Sequence, residues 1–242
     1  MTMDRPGPSR EYRQQIPRPP DAEVVAEPEA VFARLSPLEA ATLARVDVIE
    51  QAFANDSGVS GGGPVPIESG SRPAAAVLLP LLSGASDEIS LVLIRRATHL
   101  RSNPGEIAFP GGRLEPGESP LEAALREASE EVALDPGAVR LLGELPYATR
   151  ATRPEAIGAF VGAVTGAPML AANPDEVAEL FVTPLADLAD GARYWEEIWR
   201  RPDGLVWRMS FFDLGDDLIW GASARILVSL FDRLVTGGGF SG

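Results

Sequence analysis

Three glutamates, Glu127, Glu130 and Glu131, crowd one short stretch of the chain, "REASEE", just after a run of glycines and prolines. Like charges this close repel, and acids near the end of a helix face the unfavourable pole of its dipole. Clustered carboxylates are hard oxygen ligands suited to Mg²⁺ or Mn²⁺, and a bound divalent cation would relieve the repulsion. The competing reading is a solvated acidic helix face with one ion pair, Arg126 to Glu130 at i,i+4 spacing.

Those acids need an element to carry them. Ser119 can cap a helix, Pro120 suits its first position, and Glu122 completes an S-x-x-E capping box. The spacing predicts a helix from Pro120 to about Val132, with Leu121, Ala124, Leu125, Ala128 and Val132 on a face that packs against a sheet. Glu127, Glu130 and Glu131 fall in a neighbouring arc. Ahead of the cap lie Gly111-Gly112, Pro116-Gly117 and Glu118, which predict a compact loop packed on the acidic helix.

Gly112, Glu118, Arg126-Glu127, Ala128 and Glu130-Glu131 with Val132, Ala133 and Leu134 together resemble the Nudix box, G-x5-E-x7-R-E-U-x-E-E-x-G-U, where U is aliphatic. Ala133 stands where the family usually has glycine, at a position where glycine tolerates positive φ. A small Ala128 fills the first U. The resemblance implies an α/β fold, a Nudix-type α/β/α sandwich with a mixed sheet and a loop–helix–loop motif. It implies hydrolysis of a nucleoside diphosphate linked to another group, with Mg²⁺ or Mn²⁺ as cofactor. Glu127 and Glu131 would be the main metal ligands. Glu130 would be a further ligand or help activate water, and Arg126 and Glu118 would brace the loop.

The upstream segment "VLIRRATHLRSNPGEIAFPGG" resembles a second signature, that of the coenzyme A pyrophosphatase branch, L-L-T-x-R-S/A-x3-R-x3-G-x3-F-P-G-G. Arg96, Ala97, Arg101, Gly105, Phe109, Pro110, Gly111 and Gly112 match in place, while Val92-Leu93-Ile94 replaces L-L-T. The implied substrate is coenzyme A or a derivative, cleaved to 3′,5′-ADP and 4′-phosphopantetheine or its acyl form. Arg96 and Arg101 could bond phosphate or brace the acidic loop. Phe109 could touch an apolar part of the ligand or pack under the loop, with Gly111 and Gly112 lining the same site. Arg150 and Arg153 read as phosphate contacts or solvated loop residues. Glu155 and Glu176 are candidates for a carboxylate from outside the box, or structural residues. Alternative readings are a Nudix pyrophosphatase for ADP-ribose, NADH or a nucleoside triphosphate, a non-catalytic regulatory Nudix domain, and an interaction protein whose proline-rich tail recruits partners.

Composition narrows the field independently. The formal net charge of −14 lacks the basic footprint of a nucleic-acid binder. There is no cysteine, which removes disulfides, thiolate catalysis and Cys-based zinc sites. There is one histidine, His99, too few for a two-histidine zinc helix, and it reads as a surface or packing residue. No lysine occurs, so a P-loop is excluded.

Residues 1–35, rich in proline, arginine and acids, predict a poorly ordered tail without a secretory core. Residues 36–71 predict a helix, entered at Ser36-Pro37, and a glycine-rich linker. A hydrolase domain should span 72–235, followed by a flexible tail at 236–242. Within the domain, "AAAVLLPLL" and "ISLVLIRRA" read as strands. Further strands are expected around Val139–Leu145 and Ile157–Val164, then a strand running into a short helix at "EVAELFVTPLADL". A hairpin should turn at Gly215-Asp216, with a last amphipathic helix over about Ala222 to Leu234. Trp195 and Trp199, four apart, read as helix packing. The longest apolar run, Ala74 to Leu82, is too short to span a bilayer. The expected protein is cytoplasmic, takes a small nucleotide-type substrate, binds neither membrane nor nucleic acid, and leaves a homodimer open.

Overall fold

A computed structural model describes residues 12–14, 16–26, 41, 42, 44–54, 73–84, 88–150, 153–201 and 204–237. Its centre is a seven-stranded mixed sheet. The strands are β2 (Ala75–Ser83), β3 (Ile89–Arg96), β4 (Ile107–Ala108), β5 (Gly111–Arg113), β6 (Val139–Arg150), β7 (Arg153–Val164) and β8 (Val177–Pro184). They run in the order β4-β3-β2-β7-β6, with β5 on β2 and β8 on β3. Only β2 and β7 are parallel, aligned from Ala75–Ile157 to Leu82–Val164; the remaining pairs are antiparallel.

Period-two alternation sends the strand side chains to two cores. Ala76, Leu78, Ile94 and Phe160 face α2 (Pro120–Val132), which buries Ala123, Ala124, Ala128 and Val132 against them. On the opposite face, Leu79, Leu81, Leu91 and Leu93 meet α1 (Val46–Ala54) and α4 (Gly221–Gly237), through Ile49, Ala52, Leu227, Leu230, Phe231 and Leu234. Helices thus cover both faces of the mixed sheet, as the expected α/β/α sandwich requires. A short helix, α3 (Leu185–Ala189), follows β8 as expected. No helix among the described residues is long and apolar enough to cross a membrane.

A second, four-stranded sheet was not anticipated. It joins β1 (Glu23–Val24), β9 (Tyr194–Arg200), β10 (Val206–Asp213) and β11 (Leu218–Ile219) in the order β1-β9-β10-β11. Trp195 and Trp199 belong to β9, not to a helix. A spacing of four places two residues on one face of a helix and equally on one face of a strand, so the pattern alone misleads. Here both rings pack with Phe211, Trp195 stacking on it at 5.2 Å between centroids.

Residues 12–14 and 16–26 amend the predicted N-terminal tail. Tyr12, Ile16 and Ala22 pack on the Trp195–Trp199 cluster, and β1 pairs with β9. A few apolar anchors and backbone bonds hold a segment whose overall composition resembles disorder. The rest of that predicted tail, the linker at 57–66 and the C-terminal tail beyond Gly237 lie outside the described residues.

Candidate active site

The acidic helix forms for the reasons its sequence supplies. The Ser119 hydroxyl accepts from the Glu122 N–H at 3.3 Å, and the Glu122 carboxylate accepts from the Ser119 N–H at 2.8 Å, closing the capping box. At the other end Ala133 is left-handed, φ 55° and ψ 29°. Its N–H and that of Leu134 reach back to the carbonyls of Ser129 and Ala128. The alanine therefore adopts the conformation for which glycine is usual.

Glu131 is fully buried, against the competing reading of a solvated acidic face. Its Oε2 accepts from the Gly111 N–H at 2.8 Å, while Oε1 has no hydrogen-bond partner among the described residues. The nearest cation to Oε1 is Arg96 Nη1, at 3.7 Å. Burial pushes the Glu131 carboxyl up to about 8; the Gly111 N–H and Arg96 oppose that shift, and the charges of Glu127 and Glu176 add to it. Burial likewise raises Glu127, against the pull of Arg126.

Glu127, Glu131 and Glu176 each bring a carboxylate oxygen within 4.8 Å of the others. Glu176 comes from the turn between β7 and β8. That turn is fastened to the end of α2, with Ala171 N–H on the Val132 carbonyl at 3.1 Å and Asn173 N–H on the Glu131 carbonyl at 2.9 Å. It is fastened also to the segment after β3, through Ala97 N–H to the Glu176 carbonyl at 2.8 Å and His99 Nε2 to the Asp175 carbonyl at 3.0 Å. His99 thus ties two loops together. Of the two outside carboxylates considered from sequence, Glu176 joins the cluster. Glu155 does not; it lies 3.5 Å from Arg113, half exposed. Nothing local in the sequence distinguishes the two, because the selection is made by the β3–β8 pairing.

Glu130 is the acid expected as a further ligand or as an aid to water activation. It lies outside the three-carboxylate group, is half exposed, and pairs with Arg126 at 3.0 Å. Arg126 is the hub of the flank. It also bonds Glu118 at 2.9 Å, Glu127 at 3.0 Å and the Arg113 carbonyl at 3.1 Å. That guanidinium, with the Glu115 N–H, holds the Glu118 carboxyl below its ordinary range. Arg126 and Glu118 are thus bonded to each other and, through Arg126, to Glu127 and the strand before the loop.

Gly111 and Gly112 allow the loop to close on the acids. A Cβ on Gly112 would lie 2.2 Å from Glu127 Oε1, and one on Gly111 would lie 2.4 Å from the Ala76 carbonyl oxygen. Phe109 is buried in the main core, so it packs under the loop. Its burial contributes about 1.5–3 kcal/mol of hydrophobic stabilisation. Arg96 faces the cluster, whereas Arg101 is exposed on the same loop. The side chains of Arg150 and Arg153 lie outside the described set.

A mixed sheet between helices thus carries a capped acidic helix under a glycine loop. The family model described as NUDIX domain matches residues 71–202, more than half the chain, and this chain belongs to the Nudix family as a Nudix hydrolase. The uncharacterized Nudix hydrolase NudL of Yersinia enterocolitica is 39% identical over 162 residues, covering 66% of this chain and 80% of the relative. NudL of Escherichia coli K12 is 36% identical over 162 residues, covering 64% and 80%. A MutT/nudix family protein of Enterococcus faecalis superposes with a TM-score of 0.46 at 17% identity, covering 77% of this chain and 73% of that one; nothing further is drawn at that distance. Nudix hydrolases act on nucleoside diphosphate derivatives and generally use divalent metal ions.

Proposed function

We propose that this chain hydrolyses the diphosphate bond of coenzyme A or its derivatives, releasing 3′,5′-ADP and 4′-phosphopantetheine or its acyl form, with Mg²⁺ or Mn²⁺ as cofactor. One observation carries the reading. The segment from Arg96 to Gly112, whose residues match the coenzyme A signature, is bonded directly to the acids. It reaches them through Gly111 N–H to Glu131, Arg96 to Glu131 and Ala97 N–H to the Glu176 carbonyl. The part that would choose the substrate is therefore continuous with the part that would cleave it.

The residues fit a hard divalent cation. Three carboxylates converge, and one buried oxygen, Glu131 Oε1, has no hydrogen-bond donor among the described residues. Glu127, Glu131 and Glu176 would hold the ion, with Glu130 on the flank beside Arg126. When bound, such an ion offsets phosphate charge and acidifies water. Arg126 and Glu118 keep the loop closed on Glu127. Arg96 and Arg101 are proposed to bond phosphate oxygens, which suits the guanidinium fork. In the overall reaction a water oxygen joins one phosphorus and the bridging P–O bond breaks. A cytoplasmic location and a small-molecule partner belong to the same reading, with a homodimer left open.

The test is release of 3′,5′-ADP from coenzyme A with Mg²⁺ or Mn²⁺, comparing wild type with Glu131→Gln. Metal-dependent release that collapses in the variant is expected. A folded wild type that leaves coenzyme A intact but cleaves ADP-ribose or NADH would overturn the substrate assignment. A panel including dephospho-coenzyme A reports whether the 3′-phosphate is read.

A further inference from the structure

Arg95 and Arg96 are consecutive on β3 and point to opposite faces of the sheet. Arg96 faces the carboxylate cluster; Arg95 turns to Asp217, bonding it at 2.8 and 2.6 Å. On the Arg95 side lies a half-open cavity of about 550 Å³. Its walls come from three separate parts of the chain: Arg13 and Gln14 of the N-terminal segment, Thr98 and Gly105 of the loop after β3, and Trp220 ahead of α4. The other side of that loop is bonded to the Glu176 turn, through Ala97 N–H and His99. One loop thus separates the cavity from the acids.

The charges of the cavity are already spent. Arg95 is held by Asp217 and by Glu179, the latter at 3.0 Å. Arg13 is held by the same two acids, at 2.5 Å and 3.5 Å. Two cations face two carboxylates, and Glu106 adds a further acid to the lining. A phosphate entering here would have to compete with the buried, hydrogen-bonded Arg95–Asp217 pair and with the half-exposed Arg13 pairs around it, which is costly. The remaining surface is the Trp220 ring, proline rings, the Thr98 hydroxyl and the Gln14 amide. That is the lining of a site for an uncharged group with some apolar surface and a few polar atoms.

We propose that this cavity is the subsite for the uncharged arm of the substrate, the amide-bearing pantetheine chain, and that the N-terminal segment is part of the specificity apparatus. The inference rests on the coenzyme A reading above. It assigns the two ends of the substrate to different surroundings. The nucleotide end, with its extra phosphate, stays on the Arg96–Arg101 side. The neutral arm rounds the loop into the cavity between Thr98 and Trp220. The N-terminal segment lies outside the span that the family model matches, residues 71–202, so this wall is an addition to the common domain.

The experiment compares kcat/KM for coenzyme A with that for the methyl ester of 3′-phospho-ADP, in which a methyl group replaces the arm. Thr98 is exposed, so Thr98→Trp narrows the cavity without touching the core. Wild type should favour coenzyme A by at least about tenfold, and Thr98→Trp should bring the ratio close to one, the scale on which pocket contacts discriminate. Free pantetheine should inhibit the wild type competitively and lose that inhibition in the variant. A wild type that treats both substrates alike, or a ratio untouched by Thr98→Trp, would overturn the subsite while leaving the coenzyme A reading in place. A wild type that does not cleave coenzyme A at all would remove both.

Discussion

Among the described residues, carboxylates are buried in two places, and they are treated in opposite ways. In the four-stranded sheet, Glu196, Glu197, Asp213 and Asp217 are each almost fully buried, yet each is supplied with donors. Glu197 accepts from Arg18 at 2.7 Å and from the indoles of Trp195 and Trp199 at 3.0 and 2.8 Å. Glu196 accepts from the Tyr194 hydroxyl and from Arg208, and Asp217 from Arg13 and Arg95. Under the glycine loop, Glu131 is buried just as deeply with one N–H donor, and its second oxygen has none among the described residues. Burial alone does not mark a functional acid. What sets Glu131 apart from those four is a shortage of donors, because a deprotonated carboxylate left short in the interior is costly unless a cation arrives.

This contrast can be broken experimentally, and the largest effect should come from swapping charge for amide in each group. Glu131→Gln should lower kcat by on the order of 10²–10³, the scale of losing one electrostatic contribution at an active site. At the same time it should raise the melting temperature of the metal-free protein. Glu197→Gln should do the reverse. The amide cannot accept from Arg18 and both indoles without presenting its own N–H to a donor, so stability should fall by about 2–3 kcal/mol, with kcat retained. Urea denaturation beside steady-state kinetics reads both. Loss of stability in Glu131→Gln would cancel the contrast.

Next in size is the pH dependence of the metal-free protein. The Glu131 carboxyl is raised from 4.5 to about 8, so between those values the folded state holds a proton that the unfolded state has lost. Its contribution to stability is complete below 4.5, declines as pH rises through the window, and is gone above about 8. The melting temperature should therefore drop more across that window in wild type than in Glu131→Gln. Metal binding near neutral pH should release a proton, which calorimetry in buffers of different ionisation enthalpy would detect.

A smaller effect is expected from Gly112→Ala, whose new Cβ must push the Glu127 carboxylate aside. Mn²⁺ affinity should weaken about 10–100-fold, the range seen when ligand orientation is disturbed, with little change in fold by circular dichroism. Smallest of all, Ala133→Gly should relieve the left-handed helix terminus and stabilise the protein by about 0.5–1 kcal/mol. An unchanged denaturation midpoint would mean the alanine bears no strain there.

The features readable in the sequence are those whose determinants lie within one or two turns of chain. The α2 boundaries, the Ser119–Glu122 box, the need for positive φ at Ala133 and the hairpin at Gly215 are all local. The burial of Glu131 was not local, since it depends on β5 delivering the Gly111 N–H across the helix. Glu176 was weighed beside Glu155 with nothing to separate them, because a β-pairing between distant segments decides which one arrives. Trp195 and Trp199 were assigned to a helix because their spacing suits both periodicities. In the N-terminal segment, Tyr12, Ile16 and Ala22 are too few to shift an average composition but sufficient to anchor the chain on the Trp195–Trp199 cluster.

The turn that brings Glu176 to the cluster is bonded through its backbone to the carbonyls of Glu131 and Val132, the closing residues of the acidic helix. The second acid thus takes its position from the first, by main-chain contacts that do not depend on side-chain identity at Ala171 or Asn173. The whole β6–β7 hairpin intervenes between the two in sequence, and it is relieved of the task of keeping them in register. The spacing of the two acids is therefore set by bonds at the foot of that hairpin.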